Sequence, residues 1–569
     1  MTSRSTDSRT TEPAVGRGTA AVAVGAAVAA LAVSFLVVGV SRSWVVFAVA
    51  QTLFAFTPDA LVTVGIQRLG DAAQPLLVVL AAAVSVAVFA GLTLATLAVA
   101  AAAERERAET VFAVGVVVTV AGFLLTVAPV AALAGGVVAG LVVGLAGVES
   151  ASDSPTRRRL LRSLGTAVVA LGVGSTVGGY RLAAAGTAAD DERGRRETTD
   201  PVVRELLAAA ERRSLDVPGV EGLVSTEFYR VDINTVDPRV DPDDWSLTVT
   251  DTTTEGTELT VSLSELREYE AQHRFVSLRC VGDKLNGEKL DTALWTGVPV
   301  RTLLADADTE RTENCCVYVR AADDYYQEFP LSALSDAILV YGMNGGPLPR
   351  GHGAPVRLLV PGHWGEINVK WITAIELRDE PARGYWEKRG WHGTGPVNTV
   401  AKLHGVETDD GTVTVGGHAY AGTRGIDRVE VSTDDGETWT EASLSDPLPG
   451  RVSADSEPKT PAHSESKTPA DSEPKTSDDS DTDVSSPTDT STLTDTSSPT
   501  DTSTLTDALT DEHAVDAARM WRHEYEATQR HEVLVRAVEA DGTVQPRGEG
   551  NGRPFPSGAT GWVSRTVDP

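Results

Sequence analysis

Hydropathy divides the chain into two unlike parts. Apolar runs long enough to cross a bilayer, about 20 residues, fall at 18–40, 75–102, 110–129, 130–148 and 161–183. A further run at 44–57 is too short to span and reads as interfacial or re-entrant. The stretch 111–147 needs a turn, and Pro129 is the natural place for it. The pattern predicts an α-helical transmembrane bundle over 1–186 with about five spans, within a range of four to six.

Beyond it the periodicity changes. Residues 187–215 are polar, with an amphipathic stretch at 202–213, and read as a linker or short helix. Over 216–395 short β-like segments (246–250, 258–263, 316–320, 357–360) alternate with helical ones (264–272, 300–305), which predicts an α+β domain. From 396 the texture becomes strands with Asp-Gly turns, as in Asp409-Asp410-Gly411 and Asp434-Asp435-Gly436. That punctuation predicts an immunoglobulin-like β-sandwich over 396–450 and 511–569. Between its halves, 451–510 is a Ser/Thr/Asp/Pro tract with near-repeats, whose composition cannot bury a core. It reads as a disordered, dispensable insertion in a loop of the sandwich.

Charge orients the membrane part. Arg4, Arg9 and Arg17 precede the first run, Arg105 and Arg107 lie between the second and third, and Arg157, Arg158, Arg159 and Arg162 precede the fifth. With five spans these fall on one side, cytoplasmic by the positive-inside rule, so everything after about 186 is extracytoplasmic. The run Thr156-Arg157-Arg158-Arg159-Leu160-Leu161-Arg162 reads equally as a twin-arginine export signal and as an ordinary basic helix end. All ten histidines lie at His273 or later, and the methionines are Met1, Met343 and Met520, so the spans offer no axial haem ligand. The membrane domain therefore reads as an anchor.

A net charge of −30 argues against nucleic acid. Only eight of the cationic residues are Lys, and scarce Lys with abundant acid suggests adaptation to high salt, a halophilic protein. The three cysteines, Cys280, Cys315 and Cys316, cannot build a disulfide framework or a four-thiolate cluster. Cys315 and Cys316 fall in a predicted strand with side chains on opposite faces, so both are expected reduced and buried.

Cys280 has a more specific setting. It ends Phe275-Val276-Ser277-Leu278-Arg279-Cys280 and is followed by Val281-Gly282-Asp283. In order come Leu294-Trp295-Thr296-Gly297, Asp323-Asp324-Tyr325, Leu348-Pro349-Arg350-Gly351-His352, Pro355-Val356-Arg357 and Val369-Lys370-Trp371. This set, between Arg230 and Gln545, resembles the sulfite-oxidase family of molybdopterin-dependent oxidoreductases.

The resemblance implies a molybdenum-molybdopterin cofactor with Cys280 as the one protein ligand to the metal, a soft thiolate suited to a redox metal. It implies cofactor contacts from Arg230, Asp323, His352, Arg357, Asn368, Val369 and Lys370. Tyr325, Arg357 and, from the sandwich, Arg424 would serve a small oxyanion. The activity implied is oxygen-atom transfer, most simply sulfite oxidation, with electrons leaving to a separate haem or copper protein. The alternative on the same cofactor is reduction of an S-oxide or N-oxide. A sandwich of the molybdenum-enzyme dimerisation type implies a homodimer. A non-catalytic tethered binding protein would leave Cys280 an inert core thiol, with the other cofactor positions unexplained. Val281-Gly282-Asp283 replaces the Ala-Gly-Asn of animal enzymes, a departure that bears on the substrate.

Overall fold

The computed structural model describes residues 17–147, 198, 200–454 and 513–569, apart from 40, 42, 70–71, 235, 253–257, 308–314 and 549–552. The N-terminal helices are α1 (Arg17–Val38), α2 (Val45–Phe56), α3 (Asp59–Leu69), α4 (Ala73–Ala102), α5 (Arg107–Thr126) and α6 (Pro129–Gly147). Among the described residues four helices, α1, α4, α5 and α6, are long and apolar enough to cross a membrane. The expected run at 161–183 and the arginines before it lie outside the described residues. The turn comes where Pro129 put it: α5 ends at Thr126, Val127 is left-handed, and Pro129 opens α6. α5 and α6 approach closely because glycines face each other. A Cβ on Gly136 would sit 2.0 Å from Thr119 Oγ1 and 2.4 Å from the Gly115 carbonyl.

The short run at 44–57 is a helix, α2, that packs along α4 and α5. Trp44, at its start, is buried and donates its indole N–H to the Leu31 carbonyl at 3.3 Å.

The segment expected as linker or short helix contains a packed helix, α7 (Pro201–Arg213). Asp200 caps it, accepting from the Val202 amide at 2.9 Å, with Pro201 at the first helical position. Its face of Val202, Val203, Leu206 and Ala210 closes over Phe275, Leu294, Leu448 and Met520, so it joins the two downstream domains.

The α+β domain has two sheets. Its strands are β1 (Ser246–Asp251), β2 (Glu258–Ser262), β3 (Gln272–Arg279), β4 (Leu290–Pro299), β5 (Cys316–Ala321), β6 (Tyr326–Pro330), β7 (Ile338–Met343), β8 (Gly346–Pro347), β9 (Arg357–Leu359) and β10 (Ile372–Arg378). One sheet runs β2-β1-β10-β5-β6, with β1 and β10 parallel. The other contains β3-β4-β7-β8, with β9 also on β7. Leu247, Val319 and Ile375 of the first meet Val298, Leu339 and Leu358 of the second in one core. The helix expected over 264–272 is a single turn, Leu263–Leu266, started by a Ser262–Glu265 capping box; the chain is extended again by Gln272.

Cys315 and Cys316 depart from expectation. They are joined in a disulfide, with Cα atoms 3.7 Å apart. Cys315 precedes β5 and is exposed, so the alternation of a strand does not hold the two thiols apart.

The last domain contributes β11 (Val400–Ala401), β12 (Gly405–Asp409), β13 (Thr412–Tyr420), β14 (Ile426–Ser432), β15 (Thr440–Glu441), β16 (Ser443–Leu444), β17 (Val452–Ser453), β18 (Arg519–Glu526), β19 (His531–Glu539) and β20 (Val563–Val567), all but β17 forming a two-sheet sandwich. One sheet runs β11-β13-β18-β16 with β12 on β13, the other β15-β14-β19-β20. Val413, Val415 and Trp521 pack against Val429, Val431 and Val535 between them. β17 leaves the sandwich to pair with β3, Val452 opposite His273. The expected insertion boundary at 451 is therefore too early, because Val452 is needed in that ladder. Most of the expected insertion, 455–510, falls outside the described residues.

Candidate molybdenum-cofactor site

A cavity of about 1310 Å³ lies between the α+β domain and helices α2 to α4, and Cys280 is on its wall. The thiol stands just past the end of β3, in a tight turn: the Cys280 amide donates to the Lys289 carbonyl at 3.1 Å, and the Asp283 amide donates to the Cys280 carbonyl at 3.1 Å. Among the described residues it is the free cysteine, half-buried. Burial pushes the thiol up to about 11, against the Gly282 amide and Lys289, which pull it down.

Opposite Cys280 the 350–371 segment supplies cations. Gly353 sits at φ +111°, and a Cβ there would lie 2.9 Å from the Lys370 Cβ and 3.1 Å from that of Arg357. Glycine is thus what lets these two cationic side chains converge. Arg357 is buried; it donates to the His352 carbonyl at 3.2 Å and the Asn368 carbonyl at 2.9 Å, and lies over the Trp295 ring. Its desolvation lowers the guanidinium to about 10. Lys370 pairs with Asp232 and donates to the Gly351 carbonyl at 3.1 Å. Trp371 holds the turn at φ +50°. His352 is buried against Phe228, and burial with Lys370, Arg357 and Arg230 nearby drives its pKa well below the usual histidine value, so the imidazole is neutral.

Two of the acids in the cavity hold their protons more tightly than an ordinary carboxyl does. Burial and Glu387 raise Glu366 well above the ordinary carboxylate range, and burial and Asp232 raise Asp237. Six cationic side chains, Arg230, Lys289, Arg350, Arg357, Lys370 and Arg389, line the cavity together with the carboxylates Asp232, Asp237, Asp323, Asp324 and Glu366.

Of the residues singled out in the sequence, Cys280, Arg230, Asp323, Tyr325, His352, Arg357, Asn368, Val369 and Lys370 converge on this cavity. The Tyr325 hydroxyl donates to the Glu366 carbonyl at 2.8 Å. The Asn368 side chain is structural, accepting from the Val360 amide at 2.6 Å and donating to the Trp364 carbonyl at 2.9 Å. Arg424 does not join them. Its Nε donates to Glu539 at 2.8 Å, and Nη2 to the Val397 carbonyl and Thr399 Oγ1, both at 2.9 Å, so its fork is spent inside the sandwich. Sequence reasoning also missed Lys289, Arg350 and Arg389. Lysine is rare in this chain, and that rarity was the available signal for Lys289.

A molybdopterin carries a phosphate and brings dithiolene sulfurs to its metal, so it needs cations, a close-packed cradle and one soft protein donor. The cavity has all three. In addition Arg357 Nε is buried without a hydrogen-bond partner among the described residues, a donor suited to an anionic guest. Cys280 would bind the metal, and Arg230, His352, Arg357 and Lys370 the pterin and its phosphate.

Comparison with known proteins agrees. Residues 234–386 match the oxidoreductase molybdopterin binding domain, and 396–466 the Mo-co oxidoreductase dimerisation domain. Mitochondrial sulfite oxidase of Rattus norvegicus is 30% identical over 254 residues, 36% of this chain and 46% of that protein. Inducible nitrate reductase [NADH] 2 of Glycine max is 25% identical over 279 residues, 37% of this chain and 30% of that protein. The chain thus spans about half or less of the length of these relatives. Among solved structures, the sulfane dehydrogenase SoxCD from Paracoccus pantotrophus is 18% identical, with a TM-score of 0.40, covering 59% of this chain and 78% of that one. With both domain matches in register with the thiol-centred cavity, the chain is a molybdopterin-binding oxidoreductase similar to the sulfite oxidases, and molybdenum-molybdopterin is the cofactor that these domains imply.

Proposed function

We propose that the protein is a membrane-anchored, extracytoplasmic enzyme that oxidises a small oxyanion, sulfite in the simplest case, by oxygen-atom transfer. The observation that carries this reading is one cavity that holds both the Cys280 thiol and six cationic side chains. The bound cofactor supplies the two-electron redox chemistry. The chain's own residues do the rest. Lys289, rather than Arg424, provides a cation for a dianion at the reacting end, where its charge acts on the Cys280 thiol. Tyr325, anchored through its hydroxyl to the Glu366 carbonyl, fixes part of the cavity wall.

Membrane anchoring is supported by four long apolar helices. The catalytic domain meets the bundle near α2, α3 and the start of α4, the end opposite Arg105 and Arg107 at the close of α4, which agrees with an extracytoplasmic placement. The match to a dimerisation domain supports a homodimer through the sandwich.

One observation favours the reverse reaction, reduction of an S-oxide or N-oxide: Arg424, the arginine the resemblance would place on an anion, is bound to Glu539. Steady-state assays separate the two. Sulfite oxidation with an artificial acceptor, weakened about 10–100-fold in kcat/KM by Lys289→Met as expected for one lost charged contact, supports the oxidase. Turnover of a neutral sulfoxide with a viologen donor, unaffected by that substitution, supports the reductase.

A further inference from the structure

The cavity is larger than one cofactor site and is open to an unexpected surface. Its volume of about 1310 Å³ exceeds the range of roughly 300–1,000 Å³ usual for a single small-molecule pocket. Its far wall is made by the N-terminal helices, through Phe54, Leu61, Leu69, Leu76 and Leu80. Leu61, Leu69, Leu76 and Leu80 are at the same time well exposed, by 61%, 47%, 50% and 53%. One continuous space therefore joins exposed apolar side chains of an apolar helix bundle to the Cys280 thiol. In a bilayer such leucines face lipid or its interface.

At the junction stand groups suited to a flat polar ring. The Arg389 guanidinium lies 3.9 Å from the Tyr385 ring centroid and 5.7 Å from that of Phe54. The side-chain amides of Gln51 and Gln74 reach the same wall.

We propose that this vestibule admits a lipid-soluble carrier of the quinone class, which accepts the electrons in place of a haem or copper protein. A hydrated oxyanion gains nothing from a leucine-lined approach, whereas an apolar-tailed ring does. The helices also occupy the ground on which a protein carrier would have to dock over the cavity. The stoichiometry closes in one encounter: sulfite, water and quinone give sulfate and hydroquinone. Sulfur loses two electrons and gains the water oxygen; the quinone gains the two electrons, and the two protons of the water end on its oxygens. The inference rests on the oxidase reading for the substrate, but the carrier can be tested without it.

The test is photolabelling of the detergent-solubilised full chain with a short-tailed azidoquinone, mapped by peptide mass spectrometry. The expected label falls within 45–80 and on 385–391, is displaced by excess decylquinone, and persists in Cys280→Ser, where turnover is absent. Leu61→Trp and Leu76→Trp, which fill the vestibule, reduce it to the level seen with excess competitor while molybdenum content is unchanged. Label spread evenly over the outer faces of α1, α5 and α6, or not displaced by competitor, overturns the proposal. So does rapid electron transfer to a soluble cytochrome with none to decylquinone after dithionite reduction of the holoenzyme. Displaceable label in a protein that does not oxidise sulfite would sink the substrate and leave the carrier standing.

Discussion

Gln51, on helix α2, donates its side-chain N–H to Oδ1 of Asn234 at 3.0 Å, and so reaches the cofactor wall from the N-terminal helices. Asn234 in turn donates to Asp323, to Oδ2 at 3.0 Å and to its carbonyl at 3.1 Å, while Gln74 donates to the Asn234 carbonyl at 3.0 Å. The helices expected as an anchor are thus hydrogen-bonded to a residue that positions the site.

Asn234→Leu removes that donor from Asp323, and losing the partner of a buried acceptor costs about 1–3 kcal/mol. The variant is expected to bind less molybdenum and to melt earlier. Gln51→Leu, which leaves the Asn234–Asp323 bonds in place, should keep wild-type metal content. Equal metal loss in both variants, measured by elemental analysis, would show that the helix contact, not Asn234, sets the wall.

The buried pair Lys402–Asp283, 2.5 Å apart, ties the sandwich to the turn that follows Cys280. Asp283 also accepts from the Lys289 amide at 3.1 Å, so the pair shapes the Cys280–Lys289 loop. Lys402→Met strands a buried carboxylate and should cost about 3–5 kcal/mol. Adding Asp283→Leu should restore most of the stability without restoring the loop geometry. Chemical denaturation of the single and double variants checks this, and an additive double variant contradicts it.

Asp291 predicts a pH dependence. Burial raises its carboxyl to about 6, although it accepts from the Tyr229 amide at 2.7 Å and the Ser225 hydroxyl at 3.0 Å. A raised carboxyl contributes stability that is complete below about pH 4 and is lost as pH rises through about 6. Asp291→Asn keeps an acceptor oxygen and cannot ionise. It should match the wild type at pH 4 and exceed it by about 2–3 kcal/mol at pH 8, from about two units at 1.36 kcal/mol each. A stability difference independent of pH would contradict the assignment.

The Cys315–Cys316 disulfide gives a simple count. Denatured, unreduced protein should alkylate at Cys280 and not at the adjacent pair, which should react after reduction. Alkylation of all three without reductant would restore the reduced state expected from the sequence.

What was legible in the sequence was what is local. The Asp410-Gly411 turn, both residues at positive φ, joins β12 to β13 with Asp409 opposite Thr412, as the dipeptide required. Pro129 marked the turn between two apolar helices for the same reason, and the ordered motifs around Cys280, His352 and Lys370 located the cavity. Long-range pairings were not legible. Nothing in Tyr420-Ala421-Gly422-Thr423-Arg424 says that Glu539, far along the chain, takes the guanidinium. Nor does an apolar run at 44–57 say that Gln51 will meet Asn234, because a hydropathy pattern carries burial but not partners. The β17–β3 ladder was hidden for the same reason, two residues at the edge of a low-complexity tract being too short for any period to show.

The most direct measurement is molybdenum per chain in detergent-purified wild type and in Cys280→Ser. The account predicts about one molybdenum per folded wild-type chain, held by the single soft donor, and near-complete loss in a variant whose circular dichroism is unchanged. A folded wild type without molybdenum after expression in a cofactor-competent host, or a Cys280→Ser variant that retains it in full, would contradict the account.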